Sequence, residues 1–310
     1  TATGRMLLTF AKRVVEECYA DANLDTKYGL VNTKAEYVYG DSVANYTPIY
    51  ISTCKKDEDY NRIIDIVTIE DLAYKYGNNN WVKCSEPGKQ DKEICELENV
   101  DTWTEKGWTN LRRVIRHALA PHKKMMRVLT HTGCVDVTDD HSLVKNDGLE
   151  ISPKDVTCGT ELLHCSLPYK AQQNEHDVNV IFTGHFDNML ECAIYVNYLN
   201  HNNIQFRLNS CDDLNIVVIP NPLVLRNPIA IKKLHEIPYS GYVYDLTTDN
   251  HHFAAGVGNM IVHNTDSVFF KFNLTDKATG EKIVGEKALE LSIEIAQEAC
   301  SQVSKVLKQP

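Results

Sequence analysis

Two short stretches, separated by more than two hundred residues, match as the halves of one broken motif. The upstream half is Val38-Tyr39-Gly40-Asp41 and the downstream half is Thr265-Asp266-Ser267. Removing residues 42–264 joins them into the continuous string Tyr-Gly-Asp-Thr-Asp-Ser. Such a join requires that both ends of the removed segment meet at one site. This requirement constrains the fold of the segment more than any other feature of the sequence.

The ends of this segment carry the side chains that its removal would need. The segment begins with Ser42, whose hydroxyl can attack the carbonyl of Asp41, and it ends with His263-Asn264. The side-chain amide of Asn264 can attack its own carbonyl carbon and close a succinimide ring, which cuts the chain. The residue after the cut must carry a hydroxyl or thiol to receive the upstream segment as an ester, and Thr265 fits.

His-Asn followed by a hydroxyl residue resembles the end of a self-splicing intein, and the joined string resembles motif C of the family B DNA polymerases. The resemblance divides the chain into a polymerase palm fragment at 1–41, an intein at 42–264 and a second palm fragment at 265–310. It implies that Asp41 and Asp266 bind Mg²⁺ after splicing. For the complete spliced polymerase it implies a DNA primer-template and dNTPs as partners. Splicing itself needs no cofactor and no partner.

Internal motifs supply the remaining residues of the splicing site. Thr138-Asp139-Asp140-His141 resembles the intein Thr-x-x-His block, in which His141 protonates the Ser42 nitrogen as it leaves and Thr138 holds the scissile peptide or its oxyanion. Val243-Tyr244-Asp245 resembles the late intein motif, in which Asp245 favours transfer to Thr265. The late histidine is assigned to His251, with His252 as an alternative. His263 protonates the leaving nitrogen, a role suited to an unperturbed histidine pKa near 6.5.

The resemblance implies a mainly β fold, the Hedgehog/intein horseshoe, with splicing halves at about 42–168 and 232–264. Residues 169–231 form a small α+β insertion. Within it, residues 186–199 are expected to be helical, with an apolar face that includes Leu190, Ala193, Ile194 and Leu199. Residues 204–208 and 214–219 alternate like paired strands. No LAGLIDADG motif is found there, so we expect a degenerate endonuclease remnant without nuclease activity, and Asp212-Asp213 to be a solvated turn.

The flanks are expected to be α+β pieces of a polymerase palm. Apolar residues at helical spacing predict a helix over residues 5–19 and a second helix from Gly285 onward. Residues 35–39 and 267–272 read as strands that pair as a hairpin in the spliced product. The other polymerase motifs do not occur in this sequence, so we expect no DNA synthesis by the fragment alone.

Composition narrows the classes of protein that remain possible. A net charge of −10 argues against one large nucleic-acid surface. The ten cysteines form no Cys-x-x-Cys pair, so reduced thiols are expected rather than a zinc ribbon. With no long apolar run and no signal peptide, we expect an intracellular protein that is neither secreted nor membrane-bound. The resemblance to interrupted family B polymerases implies a viral or archaeal source. Two alternatives remain, a Hedgehog-like domain that cleaves itself without ligation and a non-catalytic β-rich binding module.

Overall fold

The structure is a computed structural model, and it describes residues 27–31, 34–38, 42–53, 63–84, 91–168, 183–210, 215–220, 227–263 and 269–307. The helix predicted for residues 5–19 lies outside these ranges. The chain divides into two compact units. The first comprises residues 1–39, 86–89 and 266–310, and the second comprises residues 40–85 and 90–265.

The described residues form twenty strands and three α-helices. Val, Ile, Thr and aromatic residues, which suit a pleated and half-buried surface, make up much of the strands. The strands are β1 (Lys34–Val38), β2 (Val43–Ala44), β3 (Pro48–Thr53), β4 (Ile63–Thr68), β5 (Val82–Cys84), β6 (Lys92–Glu96), β7 (Asp101–Thr104), β8 (Gly107–Ala118), β9 (Met125–Thr130), β10 (Cys134–Thr138), β11 (Leu143–Val144), β12 (Glu150–Ile151), β13 (Gly184–Phe186), β14 (Phe206–Ser210), β15 (Ile216–Pro220), β16 (Ile231–Ile237), β17 (Tyr242–Thr248), β18 (His252–Ala255), β19 (Met260–His263) and β20 (Phe269–Asn273). The helices are α1 (Leu72–Tyr76), α2 (Met189–His201) and α3 (Gly285–Leu307).

The first unit contains a strand pair and a long helix. β1 pairs antiparallel with β20, in a register that runs from Lys34 opposite Asn273 to Val38 opposite Phe269. A small apolar cluster forms around Leu30, Leu274 and Ile295, the last of these on α3. The strands and the helix predicted for the flanks are therefore confirmed. Their pairing, which was expected in the spliced product, is already present with residues 42–264 in place.

The second unit is built on one curled sheet of fifteen strands. Its order is β12-β11-β19-β18-β3-β7-β8-β17-β2-β10-β9-β16, with β4 beside β3, β6 beside β8 and β5 beside β6. The start and the end of the segment 42–264 are interleaved in this sheet, because β2 lies between β17 and β10, and β19 lies between β11 and β18. The predicted mainly β fold, flanked by α+β pieces, is confirmed.

The insertion forms a second, smaller sheet in the order β13-β15-β14. Its helix α2 begins at Met189 because the Asn188 side chain accepts hydrogen bonds from the backbone N–H groups of Leu190 and Glu191. The predicted helical start at Phe186 is wrong, since Phe186 ends β13. Ile194 was also placed wrongly on the apolar face, since 49% of it is exposed. The prediction of paired strands is confirmed by β14 and β15.

The insertion packs onto the large sheet through one apolar cluster. Val196 and Leu199 of α2 and Leu208 of β14 pack with Leu129 and Cys134 of the large sheet, and all of these residues are buried. The sheet has its own larger core around residues such as Val43, Val137, Leu246, Phe253 and Val262. The boundaries predicted for the splicing halves and the insertion stay a prediction.

Candidate active site

Ser42 is held directly before β2 by the end of β10. Val43 pairs with Val137 of β10 on one side and with Tyr244 of β17 on the other. Ser42 is fully buried. Its backbone N–H donates to Thr138 Oγ1 at 3.2 Å, and its carbonyl accepts from the Thr138 backbone N–H at 2.9 Å. Thr138 therefore fixes both polar backbone groups of the proposed nucleophile.

His141 lies in the turn that follows Thr138. Its backbone N–H donates to the Thr138 carbonyl at 3.0 Å, and its ring is fully buried. Neither ring nitrogen has a hydrogen-bond partner among the residues that the structure describes. Burial, with a smaller contribution from nearby His263, lowers the pKa of His141 to about 3, so the ring is neutral at pH 7. The N–H of Ser42 points to Thr138 rather than to this ring.

The same turn also contacts the other end of the segment. The backbone N–H of His263 donates to the Ser142 carbonyl at 2.9 Å, and Val262 pairs with Leu143. One short turn, residues 138–142, therefore contacts Ser42 at one end and His263 at the other.

A group of histidines surrounds His263. His252 lies directly opposite His263 in the β18–β19 pair, with ring centroids 5.2 Å apart, and the His251 ring centroid lies 6.4 Å from that of His263. His252 Nδ1 lies 2.8 Å from Glu105 Oε1. His263 Nε2 lies 3.6 Å from Glu150 Oε1. Both candidates for the late histidine, His251 and His252, are thus near His263. The carboxylate of Glu105 orients His252, which lies opposite His263 in the strand pair.

Glu105 is an acidic partner that the sequence did not reveal. It lies in the turn between β7 and β8 and is half-buried. Burial is the largest single influence and raises the pKa of Glu105, but the hydrogen bonds with His252 and with its own backbone, together with the nearby charges of His252 and Lys106, lower that pKa below its ordinary value.

Asp245 lies in β17, the strand next to β2. Tyr244 pairs with Val43, so continuation of this register brings Asp245 level with Ser42. Asp245 is half-buried, and its Oδ1 accepts from the Leu246 backbone N–H at 2.7 Å. On its other side, Asp245 pairs with Ile115 of β8.

The structure also brings a histidine to Ser42 that sequence reasoning missed. His117 Nε2 lies 3.1 Å from Ser42 Oγ, and His117 Nδ1 lies 3.0 Å from the Ala118 carbonyl oxygen. His117 is 8% exposed, and burial lowers its pKa below the usual range. A single histidine within a strand carries no motif, and β8 is brought toward Ser42 only by β17, which lies far along the sequence.

Four of the predicted site residues, Asp41, Asn264, Thr265 and Asp266, lie outside the described residues. Within the described ranges, no group of three or more His, Cys, Asp or Glu side chains is arranged to hold a metal ion. In the same ranges, no helix is long and apolar enough to cross a membrane. The predicted Mg²⁺ ligands stay a prediction.

Solved structures that resemble this fold are inteins. The crystal structure of the transcription factor IIB Mvu mini-intein covers 73% of this chain and 100% of its own, with 20% identity and a TM-score of 0.42. The crystal structure of the TvoVMA intein covers 73% of this chain and 99% of its own, with 15% identity and a TM-score of 0.40.

Two of the sequence relatives are DNA polymerases. A DNA polymerase of Acanthamoeba polyphaga mimivirus is 26% identical over 446 residues, which cover 100% of this chain and 24% of the relative. A DNA polymerase of Thermococcus aggregans is 26% identical over 283 residues, which cover 87% of this chain and 10% of the relative. The chain thus spans a quarter or less of these polymerases. No family model matches. The predicted resemblance, to a family B DNA polymerase fragment that contains an intein, agrees with both comparisons.

Proposed function

We propose that residues 42–264 excise themselves by protein splicing and join the flanking segments of a family B DNA polymerase. The observation that carries this proposal is the contact of one turn, residues 138–142, with both ends of the segment 42–264. Thr138 holds the backbone of Ser42, while Ser142 accepts a hydrogen bond from His263. Reactions at two junctions can be coupled only if the junctions are close, and well-oriented intramolecular attack reaches effective molarities on the order of 10⁵–10⁸ M.

The first step acts on the bond between Asp41 and Ser42. Ser42 Oγ attacks the Asp41 carbonyl carbon, the C–N bond breaks, and an ester and a free Ser42 amine result. The contact from the Ser42 N–H to Thr138 Oγ1 restrains the amide during attack. His141 faces the leaving nitrogen in this proposal. Because burial keeps its ring neutral, it serves first as a hydrogen-bonding group and acts as an acid only after gaining a proton.

The later steps use the other junction. Thr265 Oγ1 takes over the Asp41 acyl group and releases Ser42 Oγ, with Asp245 favouring the transfer. The Asn264 side-chain amide then attacks its own carbonyl carbon, closes a succinimide and frees residues 42–264. His263 protonates the leaving Thr265 nitrogen, and His251, or His252 in its place, polarises Asn264. Finally the free Thr265 amine attacks the Asp41 ester and forms an ordinary peptide bond.

The joined product restores a metal-binding motif. Asp41 and Asp266 then flank Thr265, and we propose that their carboxylates hold Mg²⁺ in the complete polymerase, which takes a DNA primer-template and dNTPs as substrates. Mg²⁺ supplies charge stabilisation at the reacting phosphate. These roles belong to the full-length protein, of which this chain is a small part. The insertion is proposed to be an endonuclease-like remnant without nuclease activity.

Expression followed by intact-mass spectrometry tests splicing. We expect two products, a free segment of residues 42–264 and a ligated chain in which residues 1–41 precede residues 265–310. Asn264→Ala should stop release of the downstream segment, because no side-chain amide remains to cyclise. Asn146→Ala serves as the matched control, since Asn146 is exposed and its side chain contacts only the surface residue Glu161 in the described structure.

Each alternative gives a different set of masses. Cleavage before Ser42 without any ligated product would support a Hedgehog-like domain. An intact chain under all conditions would support a binding module. Normal ligation by the Asn264→Ala variant would refute the assignment of the downstream junction.

A further inference from the structure

We propose that His117 is the base that takes the proton from the Ser42 hydroxyl in the first step. The proposal rests on the splicing function above and adds a catalytic residue to it. Nothing in the splicing motifs points to this histidine. Its ring lies against the nucleophile itself, with Nε2 3.1 Å from Ser42 Oγ.

The hydrogen bonds of His117 determine which nitrogen is free to accept a proton. Nδ1 lies 3.0 Å from the Ala118 carbonyl oxygen, and a carbonyl oxygen can only accept a hydrogen bond. Nδ1 must therefore carry the hydrogen. In the neutral ring this leaves the lone pair on Nε2, the atom that faces Ser42 Oγ. The Ser42 hydroxyl then donates to Nε2, which is the geometry that activates a weak hydroxyl nucleophile.

One proton suffices for the whole step, because His117 takes it from the Ser42 hydroxyl and returns it to the Ser42 nitrogen. Ser42 Oγ gives its proton to His117 Nε2 as the new C–O bond forms on the Asp41 carbonyl carbon. When the C–N bond breaks, the Ser42 nitrogen needs one proton to leave as an amine, and His117 returns the same one. The step is an isomerisation, so it needs no outside acid, base or oxidant. His141, which is neutral and buried, then needs no extra proton and acts on this nitrogen only as a hydrogen-bonding group.

The surroundings of His117 keep it in the form that a base needs. Burial is the largest influence and lowers its pKa. The hydrogen bond to the Ala118 carbonyl oxygen raises the pKa in part. Lys92, the partner of His117 across the β6–β8 pair, and Lys123 lower it, while Asp140 raises it. Lys123 is itself paired with Asp140, which reduces the net effect of both. The ring is therefore mainly neutral at pH 7.

The test isolates the first step in the full chain. Asn264→Ala and Thr265→Ala remove the later reactions, and hydroxylamine then cleaves any ester between Asp41 and Ser42, so the rate of loss of residues 1–41 reports on that ester. His117→Gln retains a hydrogen-bonding amide but no basic nitrogen. We expect it to slow cleavage by about 100-fold or more, the usual contribution of a positioned base.

Two further variants distinguish a base from a packing residue. A thiol has a pKa near 8.5 and depends less on a base, so Ser42→Cys should recover at least about ten-fold of the rate lost in His117→Gln. His164→Gln is the matched control, because burial likewise lowers the pKa of His164, to about 4, and its Nδ1 lies 2.8 Å from the Gly258 carbonyl oxygen. It should cleave at the rate of the parent.

The pH profile gives a readout that does not depend on replacing His117. The parent rate should fall at acidic pH as Nε2 becomes protonated. Lys92 lowers the His117 pKa, so Lys92→Gln should raise that pKa and move the acidic fall of the rate to higher pH. If His117→Gln fails to fold, an unmoved profile in Lys92→Gln overturns the proposal.

The possible outcomes separate this inference from the splicing proposal. Absence of hydroxylamine cleavage in the parent would overturn splicing and the role of His117 together. Cleavage of His117→Gln at the parental rate would overturn only the role of His117. If His117→Gln and His164→Gln slow hydroxylamine cleavage equally, His117 acts only through packing and the proposal is refuted.

Discussion

The buried ion pair between Arg127 and Asp136 should be among the positions of the second unit at which substitution costs the most stability. Arg127 Nε donates to Asp136 Oδ1 at 2.8 Å and Arg127 Nη2 donates to Oδ2 at 2.7 Å, directly across the β9–β10 pair. The two side chains are only 3% and 0% exposed. The Tyr46 hydroxyl also donates to Asp136 Oδ2, at 2.8 Å. Both oxygens of this carboxylate therefore accept hydrogen bonds from side chains that are buried or partly buried with it.

Asp136→Ala should destabilise the unit strongly. The substitution leaves the Arg127 guanidinium buried without its counter-charge, and breaking such a pair costs about 3–5 kcal/mol. The Tyr46 hydroxyl loses its acceptor as well, which adds to the loss without being strictly additive. We therefore expect the free energy of unfolding to fall by at least about 3 kcal/mol. Replacing the whole group by apolar side chains, with Arg127→Met, Asp136→Leu and Tyr46→Phe together, should recover most of this loss.

The assay is urea unfolding of a locked precursor that cannot splice, defined by Ser42→Ala, Asn264→Ala and Thr265→Ala. Tryptophan fluorescence is a suitable probe because all three tryptophans of the chain, Trp81, Trp103 and Trp108, lie between the splice junctions. Its transition reports on residues 42–264 rather than on the flanks.

A neighbouring exposed pair provides the control. Lys124 Nζ and Glu236 Oε2 lie 2.7 Å apart, and their side chains are 58% and 55% exposed. Glu236→Ala should therefore cost less than about 1 kcal/mol. A loss below 1 kcal/mol for Asp136→Ala, or one equal to that of Glu236→Ala, would refute the reasoning from burial.

Three further predictions concern the backbone, the late histidine and the polymerase. Gly256→Ala should abolish folding of the second unit, because Gly256 has a φ of +73° and an added Cβ would lie 2.2 Å from the Cys134 carbonyl oxygen. Circular dichroism and solubility measure this effect, and Gly148→Ala, which has open space around the added Cβ, is the milder comparison. If His252 is the late histidine, His252→Gln should slow release of the downstream segment far more than His251→Gln does, and time-resolved gels of the two variants decide between them. In a full-length polymerase the locked precursor should show no primer extension, because residues 42–264 separate Asp41 from Asp266, the two proposed metal ligands. Extension near the rate of the spliced enzyme would show that residues 42–264 do not control the proposed metal site.

The parts of this molecule that the sequence predicted were those encoded locally or by chemical necessity. Helix α3 followed from apolar residues at helical spacing, and β14 and β15 followed from alternation. The predicted start of α2 at Phe186 was wrong because the Asn188 side chain caps the helix, which therefore begins at Met189 although apolar residues also precede Asn188. Ile194 fits an apolar stripe by spacing, yet the buried face of the helix includes Cys192, Ala193, Val196 and Leu199 and leaves Ile194 exposed, and only tertiary packing decides where that face ends.

The site was predicted where a residue belongs to a motif and missed where only the fold brings it near. Thr138 and His141 belong to a recognisable block, and the structure places them between Ser42 and His263. His117 and Glu105 carry no motif. His117 reaches Ser42 through strand pairings between residues more than a hundred positions apart. The choice between His251 and His252 depends on strand register, since a shift of one residue reverses which side chain shares a face with His263.

The pairing of β1 with β20 offers a reason why a domain can occupy this position in a host protein. Val38 and Phe269 are partners while the whole of residues 42–264 is still present between them. The host strands therefore tolerate a very long loop at their tip, which is where chains accept insertions most readily. If splicing removes residues 42–264 as proposed, only residues 39–41 and 265–268 connect two strands whose register is already fixed. A short connection costs less entropy to close than a long one, so the β1–β20 pair would favour the spliced chain without unfolding and refolding.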